Sequence, residues 1–175
     1  MAENLHELNR LALTGNKGRT LVVGSRIYDN FDRRTLYRDV VGLDMLAGPG
    51  VDVVHDMENP LPDNMGKFDH IDLCSVMEHC RRPWKMASAV EKALKKDGTL
   101  LVSVPFVWRV HSYPGDYWRM TVNAFDVLFP GLEWIERGYI VGGEIRKLVK
   151  GISTDEGTYM QRAEAVGLGR KCSTS

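Results

Sequence analysis

Residues 68–105, FDHIDLCSVMEHCRRPWKMASAVEKALKKDGTLLVSVP, decide the fold, because they read in order as strand, helix and strand. Phe68 to Val76 is an apolar run without strict alternation, which suits a strand covered on both faces of a mainly parallel sheet. Pro83 stands where a first helical turn tolerates it. Ala87, Val90 and Leu94 then form one apolar stripe, closed by Lys95-Lys96-Asp97-Gly98. Thr99 to Val104 makes the next strand and Pro105 ends it.

The same alternation extends outward. Leu5, Leu8 and Ala12, spaced three and four apart, mark an opening helix that ends before Gly15-Asn16-Lys17-Gly18. Strands follow at Thr20 to Val23, Val40 to Met45 and Val51 to Asp56. Only Leu46 to Gly50 separate the last two, whereas a helical crossover needs at least about ten to twelve residues, so the helix after the second strand is expected to be missing. Downstream, Thr121 reads as the N-cap of a helix burying Val122, Phe125 and Leu128 and stopped by Pro130-Gly131. Trp134 to Val141 and Thr158 to Ala163, flanking Gly142-Gly143, are expected to finish the sheet as an antiparallel hairpin. The expected class is α/β, with helices on both faces of the sheet.

The 175 residues fit one domain, 1–175, large enough to fold without disulfides or a structural metal. Lys plus Arg and Asp plus Glu both number 23, which removes the bulk positive field of a general nucleic-acid binder. Three cysteines, Cys74, Cys80 and Cys172, with no C-x2-C pair, argue against a disulfide framework and a zinc knuckle. No apolar run approaches the roughly 20 residues of a membrane span, and MAENLHELNR lacks the apolar centre of a signal peptide. A cytoplasmic protein without membrane contact is expected.

Ligands of open α/β sheets bind outside the carboxyl ends of the strands, so Gly24-Ser25, Asp44-Met45, Asp56-Met57 and Ser75 are the informative positions. A glycine ending the first strand admits a close ligand, an acid ending the second can accept both ribose hydroxyls, and an acid ending the third is placed to hold an exocyclic amine. Together they outline an adenosine site. Taken singly, Asp44 and Asp56 equally suit the turn chemistry common at strand ends.

The chain here resembles the class I S-adenosylmethionine-dependent methyltransferases, in particular the small methyltransferase-type-11-like group. The similarity runs through Thr20-Leu-Val-Val-Gly-Ser, Val41-Gly-Leu-Asp44, Val51-Asp-Val-Val-His-Asp56, Phe68-Asp-His-Ile-Asp, Val76-Met-Glu-His79 and Leu94-Lys-Lys-Asp-Gly98 to Pro105-Phe106. It implies a Rossmann-like domain, S-adenosylmethionine as cofactor, Asp44 on the ribose hydroxyls, and Asp56 and Met57 lining the adenine. The family's loop reads like G-x-G-x-G, whereas this chain has Gly24-Ser25-Arg26-Ile27-Tyr28, with Arg26 and Tyr28 where the methionine part of the cofactor is expected. Either the loop runs differently, with Arg26 meeting the cofactor carboxylate, or the cofactor binds weakly.

The segment from Pro105 to Thr121, PFVWRVHSYPGDYWRMT, leaves a strand end and resembles the H-x-x-P-x-D-Y-W-R stretch of close relatives. His111 and Asp116 take part directly in one reading. In the other, Tyr117 and Trp118 pin the loop while Asp116 pairs with Arg119. His79 is either a fold-supporting hydrogen-bond partner or a general base over the transferring methyl. His55 beside Asp56 lacks a third ligand at suitable spacing, so no metal is expected. The functional expectation is methyl transfer to an unidentified acceptor, a glycan or other large substrate, or at a site completed by a second subunit in a homodimer. The rivals are a noncatalytic nucleoside-binding module of the same fold and an NAD-dependent oxidoreductase, the latter disfavoured by the missing G-x-G-x-x-G.

Overall fold

The computed structural model describes residues 5–15, 18–28, 31–111, 115–141, 148–149 and 162–172. Among these residues lie eight strands, β1 (Thr20–Val23), β2 (Val40–Asp44), β3 (Val53–Val54), β4 (Phe68–Cys74), β5 (Leu94–Val107), β6 (Leu132–Val141), β7 (Leu148–Val149) and β8 (Ala163–Lys171). They form one sheet in the order β3-β2-β1-β4-β5-β8-β6-β7. The first five strands pair in parallel, and β8 inserts antiparallel between β5 and β6. Strand order reverses between β1 and β4, which opens the crevice where an α/β sheet takes its ligand.

Alternate strand residues face two layers. On one face, α1 (Leu5–Gly15) buries Leu8, Leu11 and Ala12 against Val22, Leu101, Val166 and Leu168. On the other, α2 (Pro83–Ala93) and α3 (Ala124–Leu128) pack Met86, Ala87, Val90 and Phe125 over Leu21, Ile71, Leu73, Leu100 and Val102. No helix among the described residues is long and apolar enough to cross a membrane.

The helix after β2 is absent, as the five-residue spacing predicts. The returning chain lies against β2 itself: Asp52 donates its backbone N–H to the Gly42 carbonyl at 2.8 Å, and its carboxylate accepts from the Gly42 N–H at 2.7 Å. A Cβ on Gly42 would stand 2.2 Å from the Gly50 carbonyl oxygen, so only glycine lets the connection pass this close.

Several boundaries differ from the sequence reading. Helix α2 ends at Ala93, so Leu94 opens β5 instead of completing the helical stripe, and β5 continues through Pro105, which pairs with Glu164, to Val107 rather than stopping at Val104. The third strand is only Val53–Val54, shorter than the expected Val51 to Asp56. Residues 158–161 of the expected last strand lie outside the described residues, and β8 runs from Ala163 to Lys171. The third helical segment starts at Ala124 rather than beside Thr121, which does not act as its N-cap side chain, and Phe129 is fully buried where Leu128 was expected. Thr121 instead accepts at its carbonyl from the Ala124 N–H in a turn that precedes the helix. The Gly142-Gly143 turn also lies outside the described residues.

Candidate functional site

At the end of β1, Gly24 adopts φ +71° and its N–H donates to the Leu43 carbonyl at 2.8 Å. Ser25 is buried and its hydroxyl has no partner among the described residues. At the end of β2 the Asp44 carboxylate accepts from the Leu46 N–H at 2.9 Å and the Arg26 N–H at 3.3 Å. The turn reading of Asp44 is therefore realised. Two backbone donors leave part of a carboxylate's acceptor capacity over. Met45 beside it is half exposed. Asp56 is exposed and accepts from the Glu58 N–H at 2.9 Å, again a turn bond, while Met57 is 2% exposed and belongs to the core. Ser75, ending β4, is exposed and holds φ +56°, a left-handed conformation uncommon for serine.

The loop after β1 leans towards the β2–β3 connection. Ile27 donates to the Pro49 carbonyl at 2.9 Å, and the Arg26 guanidinium lies 5.1 Å from the centre of the Tyr28 ring. The open depression bounded by Lys67, Leu94, Lys95, Lys96, Lys171 and Cys172 lies at the opposite, amino-terminal edge of the parallel strands and holds none of these residues.

The second half of the site joins the turn after β4 to the loop after β5. Tyr117 donates its N–H to the Glu78 carbonyl at 2.7 Å, the Trp118 indole donates to the Cys80 carbonyl at 2.8 Å, and the His79 imidazole Nδ1 bonds the Gly115 carbonyl. These bonds bring His79 and His111 edge to face, with ring centres 4.9 Å apart. Asp116, with its side chain 1% exposed, accepts from both guanidinium nitrogens of Arg119 and from the His111 N–H at 2.7 Å, and lies 3.1 Å from His111 Nδ1. Arg119 beside it holds the Asp116 carboxyl well below the usual range. The Asp116–Arg119 pair of the pinning reading thus exists, and the same carboxylate also orients His111.

The sequence reading missed Glu78 as a site residue. Its carboxyl is fully buried with no well-formed hydrogen bond to either oxygen among the described residues, and burial pushes its pKa up to about 8, opposed first by its own backbone N–H and then by Arg119, and aided by Glu164 and Asp116. His79 Nε2 stands 3.6 Å from Glu78 Oε1. Adjacency to His79 was the available signal. Glu58 is a second omission: it accepts from the N–H groups of Arg81 and Arg82 and pairs with the Arg82 guanidinium, tying the β3–β4 segment to the start of α2.

No family model matches the sequence, and no curated protein sequence matches it. Solved structures do. The N-methyltransferase NodS of Bradyrhizobium japonicum WM9 superposes with a TM-score of 0.66 at 15% identity over 98% of this chain and 96% of that one. The 1,6-didemethyltoxoflavin-N1-methyltransferase of Burkholderia thailandensis, solved with bound 1,6-didemethyltoxoflavin and S-adenosylhomocysteine, gives 0.68 at 13% identity over 98% and 80%. A possible histamine N-methyltransferase of Thermotoga maritima gives 0.61 at 20% identity over 97% and 94%. The chain has the class I methyltransferase fold. In that fold Gly24, Ser25, Asp44 and Met45 lie at the ends of β1 and β2, Asp56 follows β3, Ser75 and His79 follow β4, and His111 and Asp116 follow β5. Met57 lies within the core.

Proposed function

We propose that the protein transfers a methyl group from S-adenosylmethionine to an acceptor held against the loop after β5. The observation that carries this reading is the strand order reversing between β1 and β4, with Gly24 and Asp44 on one side of the crevice and the His79–His111 pair on the other. The residues present fit the cofactor: Gly24 has no side chain to fill the crevice, the buried Ser25 hydroxyl has no partner among the described residues, and Asp44 retains acceptor capacity for a ribose diol. Asp56 and Met45 border the adenosine side. When bound, S-adenosylmethionine supplies a methyl group on a sulfonium, already activated for displacement by a nucleophile.

The chain's contribution is then mainly to hold the acceptor in line, a positioning effect worth up to about 7–11 kcal/mol in well-oriented cases. His79 and His111 are the groups that touch the acceptor, and Asp116 is a positioning residue acting through His111. Val110 beside His111 and Tyr117 in the same loop are exposed, as is Trp84, whose ring meets that of Trp118, and such apolar surface suits a large acceptor, such as a glycan or protein surface, better than an enclosed small molecule.

Thermal melting with S-adenosylmethionine and S-adenosylhomocysteine tests the reading. Ligand at 100 times its dissociation constant adds about 2.7 kcal/mol, a shift of roughly 5–10 °C for this size, and Asp44→Ala removes most of it. No shift with either ligand at millimolar concentration overturns the cofactor assignment. Binding without methyl transfer across broad acceptor pools favours the noncatalytic reading, which the single-glycine loop supports.

A further inference from the structure

The turn after β4 and the loop after β5 bring together three side chains with metal-ligating atoms. One such atom from each of Glu78, His79 and His111 lies within 4.8 Å of the others. Glu78 is 0% exposed, and neither of its oxygens has a hydrogen-bond partner among the described residues. A carboxylate is not normally buried in this way unless something else satisfies it. His79 Nε2 lies 3.6 Å from Glu78 Oε1. Two ligands bound tetrahedrally at about 2.0–2.1 Å stand roughly 3.3 Å apart, so this pair is already close to a chelating separation.

The outer contacts of both histidines match those of ligands. His79 Nδ1 faces the Gly115 carbonyl, which can only accept, so Nδ1 is the donor and Nε2 is the nitrogen left to face a cation. His111 Nδ1 faces the Asp116 carboxylate at 3.1 Å, giving the same tautomer. Metal-ligating histidines almost always donate their other ring N–H to a carbonyl or carboxylate in this manner. Arg119 is engaged by Asp116 through both guanidinium nitrogens, which balances the outer carboxylate.

We infer that Glu78, His79 and His111 form a binding site for one divalent transition-metal cation. Two imidazoles and one carboxylate suit zinc, cobalt or nickel in preference to calcium or magnesium, which favour all-oxygen ligands. Three protein ligands leave a fourth position for a water or for a heteroatom of the acceptor. That Lewis-acid role rests on the methyl-transfer reading above; metal binding itself does not.

Calorimetric titration of the chelator-treated full chain with zinc chloride is expected to show one equivalent bound, and cobalt chloride to develop the visible absorption of a nitrogen- and oxygen-ligated ion. His111→Ala, which alters a partly exposed ring and spares the core, should weaken zinc binding at least tenfold. Asp116→Asn should weaken it about 10- to 100-fold through the outer contact, and His55→Ala should leave it unchanged. Glu78→Gln, checked for folding by circular dichroism, should abolish it. Absence of a bound equivalent, zinc affinity unchanged in His111→Ala, or magnesium binding as tightly as zinc overturns the inference. S-adenosylhomocysteine binding, measured in parallel with chelator present, reports separately on the cofactor reading.

Discussion

Gly24 does at one residue what the crevice requires. Its φ of +71° lies in the left-handed region, and a Cβ there would stand 2.6 Å from Cγ2 of Val76, across the gap between the ends of β1 and β4. Gly24→Ala is therefore expected to lose about 1–3 kcal/mol by urea denaturation, from backbone strain plus the Val76 contact. Adding Val76→Ala should recover the contact part and leave about 1 kcal/mol of strain. Full recovery in the double variant would show that the backbone conformation costs nothing. Gly24 was legible because a lone glycine closes an apolar run. Glu78 was not, since a glutamate beside a histidine reads equally as a solvated charge. Its burial comes from chain distant in sequence, the loop at 115–119 that folds over the β4 turn.

At the scale of elements, the connection from β1 to β2 carries no α-helix among the described residues, only a short 3-10 turn at Arg33–Leu36. The turn is tied down by charge. The Arg33 guanidinium pairs with the fully buried Asp72 of β4, and the Tyr37 hydroxyl donates to the same carboxylate at 2.6 Å. Removing one member of a buried pair strands the other, so Arg33→Met is expected to cost about 3–5 kcal/mol despite its apolar replacement. Equilibrium unfolding measures this, and a loss below about 1 kcal/mol would mean that Asp72 is satisfied otherwise. The sequence announces neither partner, because Arg33 sits in a run of charges and Asp72 in a strand. The missing crossover after β2 was legible from residue count alone. The last strand was not: AEAVGLGRK carries Gly167 and Gly169, which read as breakers. In the sheet the Trp134 ring lies across both, and a Cβ at either would come within 2.7–3.1 Å of it.

Across the whole molecule, the α1 face of the sheet carries a buried polar seam running from Arg33 and Asp72 to His70. Thr99 Oγ1 donates to the Gly15 carbonyl at 2.6 Å, so it accepts from His70 Nδ1 at 2.8 Å, and the strand pair thereby caps the end of α1. His70 is fully buried and its Nε2 has no partner among the described residues, and desolvation, opposed by Asp72 and reinforced by Arg33, lowers its pKa from 6.5 to about 4. The folded state thus holds this ring neutral where the unfolded chain would protonate it. Its contribution to stability is fully present above about pH 6.5 and is lost progressively as pH falls towards 4, by up to about 3 kcal/mol. Glu78, whose pKa is raised, acts with the opposite sign over an overlapping range, so the informative quantity is the difference between wild type and His70→Asn. Asparagine keeps a donor for Thr99 but cannot titrate. Unfolding free energies of the two proteins should converge by roughly 2 kcal/mol between pH 7 and pH 5. Carboxylates held low, Glu58 at about 2 and Asp116 likewise depressed, act in both proteins alike and only below about pH 5, as does the depressed Asp72, which is coupled to His70 itself. Parallel curves from pH 7 to 5 would mean that His70 titrates in the folded protein as it does in the unfolded chain, and that the seam is open to water.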